Sequence, residues 1–245
     1  MSNADPIALL FGGMTKLGPG SDADTLAVLQ RLPSREFTTV VDAGCGTGRS
    51  TLVLARQLAT TIYAVDSHEP FLKQLSESAA SDGVGDLIET HSMDMLQIPE
   101  SFPQIDLLWC EGAAYNVGFA NALSTWAPAI VSGGFAVVSE LTWLREDAIP
   151  ERTRKFFDAA YPAMQTDSQN RSCCEQAGFT VLGTHTLPES AWCEDYYDTL
   201  KPRAEKLAGH ADPAVREFAD GMLEEIAVFA ESDGSYGYVF YILQR

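Results

Sequence analysis

The run Val40-Val41-Asp42-Ala43-Gly44-Cys45-Gly46-Thr47-Gly48-Arg49-Ser50 sets three alternate glycines behind a carboxylate in a chain of 245 residues. Two β-branched residues lead into it, and leucines recur at helical spacing over residues 50–59. The pattern predicts a strand over 37–42, a tight turn, and a helix over 47–59. Glycines in such a turn take positive φ and let the backbone approach a ligand with no Cβ in the way. The amides that open the helix then face that ligand. In the dinucleotide fingerprint the third glycine would fall at position 49, which is Arg49, so the spacing is G-x-G-x-G and not G-x-G-x-x-G. A carboxylate at Asp42 would repel a pyrophosphate, whereas it suits a ligand that carries an ammonium and a sulfonium.

An acidic residue followed by G-x-G-x-G at the end of the first strand resembles the first motif of the class I S-adenosylmethionine (SAM) dependent methyltransferases. A glycine turn in some other α/β protein has the same residues, so the neighbouring elements matter. Strand 2 is expected over 61–66 and ends in Asp66. An acid about 20 residues beyond the glycine turn is placed to accept hydrogen bonds from two ribose hydroxyls. That supports a nucleoside ligand without choosing between SAM and a dinucleotide. Strand 4, over 105–110, is almost wholly apolar, as a strand buried on both faces should be. Helices are expected over 118–131, with an interruption near Pro128, over 151–161 and over 168–177; strand 3 over 87–90, strand 5 over 135–142, strand 6 over 179–187 and the last strand over 236–243.

The resemblance covers 37–187 and the last strand. The Trp109-Cys110-Glu111-Gly112-Ala113-Ala114-Tyr115-Asn116 run, Gly18-Pro19-Gly20-Ser21 and Tyr236-Gly237-Tyr238-Val239-Phe240-Tyr241 look like a bacterial group of uncharacterised methyltransferases. That group is related to the ubiquinone/menaquinone-type small-molecule enzymes. The resemblance implies an α/β, Rossmann-like class I methyltransferase fold: a seven-stranded, mostly parallel sheet with helices on both faces and strand 7 antiparallel between strands 5 and 6. The organisation expected is an N-terminal helical cap over 1–36, a SAM-binding core over 37–187, a helical lid inserted over 188–235, and a final core strand over 236–245. Within the cap, Ser21 or Asp22 is expected to cap a helix over 24–32.

Composition narrows the partners. With 34 acidic against 16 basic residues the net charge is −18, which argues against nucleic acid as substrate. The cluster Arg152, Arg154 and Lys155 reads as a solvated helix face. Five cysteines with no C-x-x-C pair indicate neither a zinc site nor a disulfide framework, and reduced thiols in a cytoplasmic protein are the simple reading. No catalytic metal ligands are evident. No apolar run approaches the length of a membrane span. A homodimer is compatible with the sequence.

Candidate site residues follow from these placements. Gly44, Cys45, Gly46, Asp66, Ser67 and Cys110 make the expected cofactor set with Asp42. Lys16, a rare cation near the site, is either a partner for the ligand carboxylate or a surface lysine. The resemblance places Ser92, Met93 and Asp94 around an adenine, although Met93 and Met95 equally suit a core. Glu111, at the carboxyl end of strand 4, is the first candidate for binding the ligand ammonium or for serving as a base, with His68 the second; a helix cap is the plainer role for Glu111. Tyr115 is paired with Glu111 as catalytic, and Asn116 lies on the substrate side. Glu140 sits near where strand 5 meets the same face. In the insertion, Trp192 and Tyr196 share a helical face at i, i+4, and with Tyr197 they read as a lid over a small acceptor or as core beneath a flap. The function expected is methyl transfer from SAM to a small-molecule acceptor by in-line displacement. A non-catalytic SAM-binding module and a nicotinamide-dependent oxidoreductase are the alternatives. The acceptor atom has no signature.

Overall fold

The computed structural model describes residues 4–245. The lead-in forms α1 (Pro6–Phe11) and α2 (Asp22–Leu29). Ser21 caps α2 reciprocally: the Asp24 amide donates to Ser21 Oγ at 3.2 Å, and the Ser21 amide donates to Asp24 Oδ2 at 2.9 Å. The helix therefore starts at Asp22 and not at Asp24, because the capping box sets the first turn from its cap. It buries Thr25, Val28 and Leu29.

Strands and helices then alternate: β1 (Val40–Ala43), α3 (Arg49–Leu58), β2 (Ile62–Asp66), α4 (Glu69–Ser81), β3 (Ile88–Ser92), α5 (Ile98–Ser101), β4 (Ile105–Cys110), α6 (Phe119–Trp126) and β5 (Ile130–Trp143). The interruption expected near Pro128 is present: the helix ends at Trp126 and gives way to a tight 3-10 turn, Ala127–Ala129, and it does not resume toward 131. Pro128 has no amide to continue the helix, and Ile130 and Val131 pass into the strand instead. Beyond β5 come α7 (Glu151–Ala160), β6 (Gln165–Thr166), α8 (Asp167–Gln176) and β7 (Thr180–Thr186). The insertion holds α9 (Ser190–Trp192), a π-helical turn (Cys193–Tyr197), α10 (Asp198–Leu207) and α11 (Pro213–Glu231), and β8 (Tyr236–Gln244) follows it. A break at Pro202 is expected from the sequence, yet α10 runs through it. One carbonyl loses its donor there, while the buried Leu200 and Ala204 anchor the same helix.

The sheet has the order β3-β2-β1-β4-β5-β8-β7. β1 to β5 are parallel, and β8 lies antiparallel between β5 and β7. An eighth strand, β6, extends the expected seven: it pairs with Thr142 and Trp143 at the end of β5. Two residues are too few to carry a period, which is why pattern reading passes over it. Successive residues of β4 alternate between two cores. Leu107 and Trp109 face Leu54, Val28 and Trp192, whereas Leu108 and Cys110 face Leu123, Trp126 and Cys174. The inserted segment is stitched to the sheet through Trp192, whose ring stacks on Tyr238 of β8 at 5.4 Å and on Phe229 of α11 at 4.9 Å. Among the described residues no helix is long and apolar enough to cross a membrane.

Gly48, the residue before α3, has φ +84°, and a Cβ there would lie 2.1 Å from Leu75 Cδ1, a side chain with no room to retreat. Gly83 has φ +71° with open space around it. Gly48→Ala is therefore expected to destabilise by about 3 kcal/mol, and Gly83→Ala by about 1 kcal/mol from backbone strain alone. Thermal melts check the pair; equal losses would contradict the packing of α4 against the turn.

Candidate active site

A cavity of about 810 Å³ opens where the carboxyl ends of β1, β2 and β4 meet the lead-in and the insertion. Gly44, Cys45 and Gly46 form its floor at one end, with Asp66 and Ser67 from the end of β2 and Met93, Asp94 and Met95 from the loop after β3. A Cβ on Gly44 would come within 2.4 Å of Ala113 Cβ, and one on Gly46 within 2.8 Å of Leu17 Cδ1, so the turn is gripped from both sides. Asp66 is clamped by backbone: the Gly46 amide donates to Oδ2 at 2.8 Å and the His68 amide donates to Oδ1 at 2.8 Å. A carboxylate has about four acceptor positions, so this aim leaves lone pairs free for two further donors.

Twelve of the sequence-derived candidates meet in the wall: Gly44, Cys45, Gly46, Asp66, Ser67, Met93, Asp94, Glu111, Tyr115, Asn116, Trp192 and Tyr196. The others do not. Ser92 ends β3 in register with Asp66 and is exposed outside the wall. Cys110 is wholly buried in the core beneath it. Tyr197 lies behind the wall, its hydroxyl donating to Glu225 Oε1 at 2.8 Å. Lys16 Nζ donates to the carbonyls of Glu194 at 2.9 Å and Ala191 at 3.4 Å, which straps the lead-in to the insertion; of the two roles left open for it, ligand partner or surface lysine, the second does not fit, since the residue is buried. His68 precedes α4 and does not line the cavity itself; its ring packs against Phe71, which does.

Asp42 is 0% exposed and lies under the turn, where it cannot face a ligand directly. Its Oδ2 accepts from Ser50 Oγ at 2.9 Å and Thr51 Oγ1 at 2.6 Å, while Oδ1 has no partner. Burial, helped by the nearby Glu111, pushes its carboxyl up to about 7 against those hydrogen bonds and Arg49. Its observed contacts tie the opening of α3 to β1.

Glu111 faces the cavity but both its oxygens are engaged. Oε2 accepts from Arg49 Nη2 at 2.6 Å, and Oε1 accepts from Thr25 Oγ1 at 2.7 Å and Trp109 Nε1 at 2.8 Å. Three donors, one of them a guanidinium, fix the orientation of the carboxyl group. In this structure Glu111 therefore ties Arg49, Thr25 and Trp109 together at the cavity wall.

The far end of the cavity is aromatic. Tyr115, Phe156, Phe157, Tyr161, Trp192, Tyr196, Phe218 and Tyr238 line it, together with Leu141, Met222 and Glu225. Two carboxyls stand at this end. Glu140 is 1% exposed behind the wall; Tyr161 Oη donates to its Oε1 at 2.6 Å, and Oε2 is buried without a partner. Burial pushes Glu140 up to about 8. Glu225 is likewise raised by burial. Tyr161 and Glu225 escaped sequence reading. A signal for Glu225 exists: it occupies the apolar stripe of α11 formed by Phe218 and Met222, where a charge is out of place. Tyr161 follows the last residue of α7 and has no such mark. Among the described residues there is no group of three His, Cys, Asp or Glu side chains suited to a metal ion.

Comparison with known proteins bears on this geometry. Residues 40–134 match the family model of a methyltransferase domain. Over 185 residues the chain is 26% identical to trans-aconitate 2-methyltransferase from Azoarcus sp. (strain BH72), covering 74% of this chain; it spans 62% of the length of that relative. Among solved structures, a SAM-dependent methyltransferase from Thiobacillus denitrificans in complex with S-adenosyl-L-homocysteine superposes with a TM-score of 0.82 at 18% identity, covering 100% of both chains. The [4+2]-cyclase SpnF superposes with a TM-score of 0.77 at 18% identity, covering 98% of this chain and 91% of that one. Likenesses at this identity establish the fold, and the fold hosts more than one named reaction, so the chemistry has to be argued from the cavity.

Glu140 sets a pH dependence of stability. In the folded chain it keeps its proton up to about pH 8, whereas its ordinary value is 4.5. Between those values the folded state binds the extra proton, so stability falls as pH rises, by about 1.4 kcal/mol per pH unit for one such group. Glu140→Gln keeps an acceptor for the Tyr161 hydroxyl and removes this titration. Melting temperatures at pH 5.5 and 8.5 are expected to differ less in the variant than in the wild type; an unchanged difference would contradict a buried, protonated Glu140.

Proposed function

We propose that this chain, which carries a class I SAM-dependent methyltransferase domain, transfers a methyl group from SAM to a small-molecule acceptor held in the aromatic end of the cavity. The observation that carries the reading is the joining of two unlike ends in one cavity. The glycine turn and the clamped Asp66 form one end, and the ring-lined chamber forms the other. About 810 Å³ falls within the range of sites that enclose small ligands.

Bound SAM supplies a methyl group on a positively charged sulfur that is open to in-line attack. Asp66 would hold the ribose hydroxyls through its free lone pairs. Met93 and Met95 would cover the base, with Asp94 at its polar edge. The acidic wall of Asp66 and Asp94, with Arg49 neutralised by Glu111, favours a cationic ligand over a pyrophosphate, which speaks against the nicotinamide alternative. Tyr115 and Asn116, at the junction of the two ends, would orient the acceptor. Trp192, Tyr196 and α11 close over it and keep water from the nucleophile, and positioning with desolvation supplies much of the rate in such a transfer. A ring-lined chamber beside the cofactor end also favours a reaction over a purely ligand-sensing module. Trans-aconitate, the acceptor in the name of the Azoarcus relative, suits this chamber poorly. Arg49 is the one cation in the described wall, and it is already paired with Glu111.

Titration calorimetry is expected to give micromolar binding of S-adenosylhomocysteine and no binding of NADH. Asp66→Ala should weaken S-adenosylhomocysteine about 100-fold, the loss of charge-assisted bonds to two hydroxyls. Wild-type affinity in that variant, or binding of NADH alone, would overturn the reading.

A further inference from the structure

Glu225 has a chemistry that the cofactor end does not explain. It rises from α11 on the face that carries Phe218 and Met222, seven and three residues earlier, and all three line the cavity. One of its oxygens accepts from the Tyr197 hydroxyl at 2.8 Å; among the described residues no group donates to the other. Tyr115 and Tyr196 lie within its electrostatic reach, and burial among these rings raises its pKa. A second carboxyl, Glu140, stands behind Tyr161 with an oxygen that has no partner. Arg49, the only cation lining the described wall, is bound to Glu111 at the opposite end.

This combination selects by charge. A carboxylate or phosphate on the acceptor would meet two carboxyls and no open cation. An ammonium would meet ring faces, which attract cations, and a carboxylate oxygen awaiting a donor. We propose that the acceptor is a lipophilic amine whose nitrogen is held by Glu225 beside Tyr115 and Tyr196, and that methyl transfer is to that nitrogen; this rests on the methyltransferase reading above. The amine enters as an ammonium and gives one proton to the Glu225 carboxylate, which frees its lone pair. That lone pair forms the nitrogen–carbon bond as the methyl–sulfur bond breaks, and the electron pair of the broken bond stays on the sulfur as a neutral thioether. The product is an N-methylammonium. The proton on Glu225 passes to water through a shallow hollow that Glu225 also lines, with Pro6, Glu217 and Gly221 at its rim.

The test uses full-length protein saturated with S-adenosylhomocysteine and a panel of matched probes: benzylamine, 2-phenylethylamine and tryptamine, each against the carboxylate isostere of the same ring and chain length. At least one amine is expected to bind 10-fold or more tightly than its carboxylate partner. Glu225→Gln, which keeps volume and an acceptor for Tyr197, should abolish that preference and leave S-adenosylhomocysteine affinity unchanged. With SAM in place of the product, the preferred amine should gain one methyl on nitrogen by mass spectrometry. If S-adenosylhomocysteine binds but no amine does, or the carboxylates bind as well, or the preference survives Glu225→Gln, the amine assignment falls and the methyltransferase reading stands. If S-adenosylhomocysteine does not bind, both fall. The isostere comparison on the wild-type protein needs no variant, so it decides the matter even if Glu225→Gln fails to fold.

Discussion

The contact between Arg49 Nη2 and Glu111 Oε2, at 2.6 Å, is the centre of a cluster that joins three parts of the chain. Arg49 opens α3, Glu111 follows β4, and Thr25 of α2 bonds to both, accepting from Arg49 Nη1 at 3.3 Å and donating to Glu111. The side chains are only 16% and 10% exposed, so the pair is largely removed from water. Such a pair holds when its remaining donors and acceptors are satisfied, and here Trp109 and Thr25 complete the shell around Glu111. Removing one partner from a buried pair costs about 3–5 kcal/mol. The lead-in is thereby pulled over the glycine turn, where Leu17 comes to rest against Gly46.

The same contact governs the electrostatics of the cavity. It neutralises the one cation in the described wall and leaves Asp66, Asp94 and Glu225 as the acidic groups that line the cavity without a basic partner there. Asp42 and Glu140, buried just outside, are held toward their neutral forms. A chain of net charge −18 concentrates this tendency where apolar walls strengthen every field. Buried carboxyls with raised pKa lower stability at neutral pH, and groups perturbed in this way cluster where chemistry is done. Both ends of the cavity therefore favour positive ligands, a sulfonium at one and an amine at the other.

Much of this architecture was legible in local pattern. The glycine spacing, the acid at the end of β2 and the apolar β4 follow from periods and turn residues within a few positions of one another, whereas the antiparallel direction of the last strand comes only from the family resemblance. The two-residue β6 has no period to read, and α10 runs through Pro202 because burial of Leu200 and Ala204 decides it. Site residues divided along a similar line. Backbone-determined positions such as Gly44, Gly46 and Asp66 lie in the wall as the sequence implies. Asp42, Lys16 and Glu111 differ because distant partners set their direction: Ser50 and Thr51 for the first, the carbonyls of Ala191 and Glu194 for the second, and Arg49 for the third. Charge alone does not reveal which cation a carboxylate will find across the fold.

A crystal structure of the S-adenosylhomocysteine complex tests the central claim most directly. The account predicts the nucleoside against Asp66, Met93 and Asp94, the sulfur turned toward Tyr115 and Asn116, and the Arg49–Glu111 pair unbroken. The ligand bound elsewhere, or Glu111 released from Arg49 to contact it, would contradict the account.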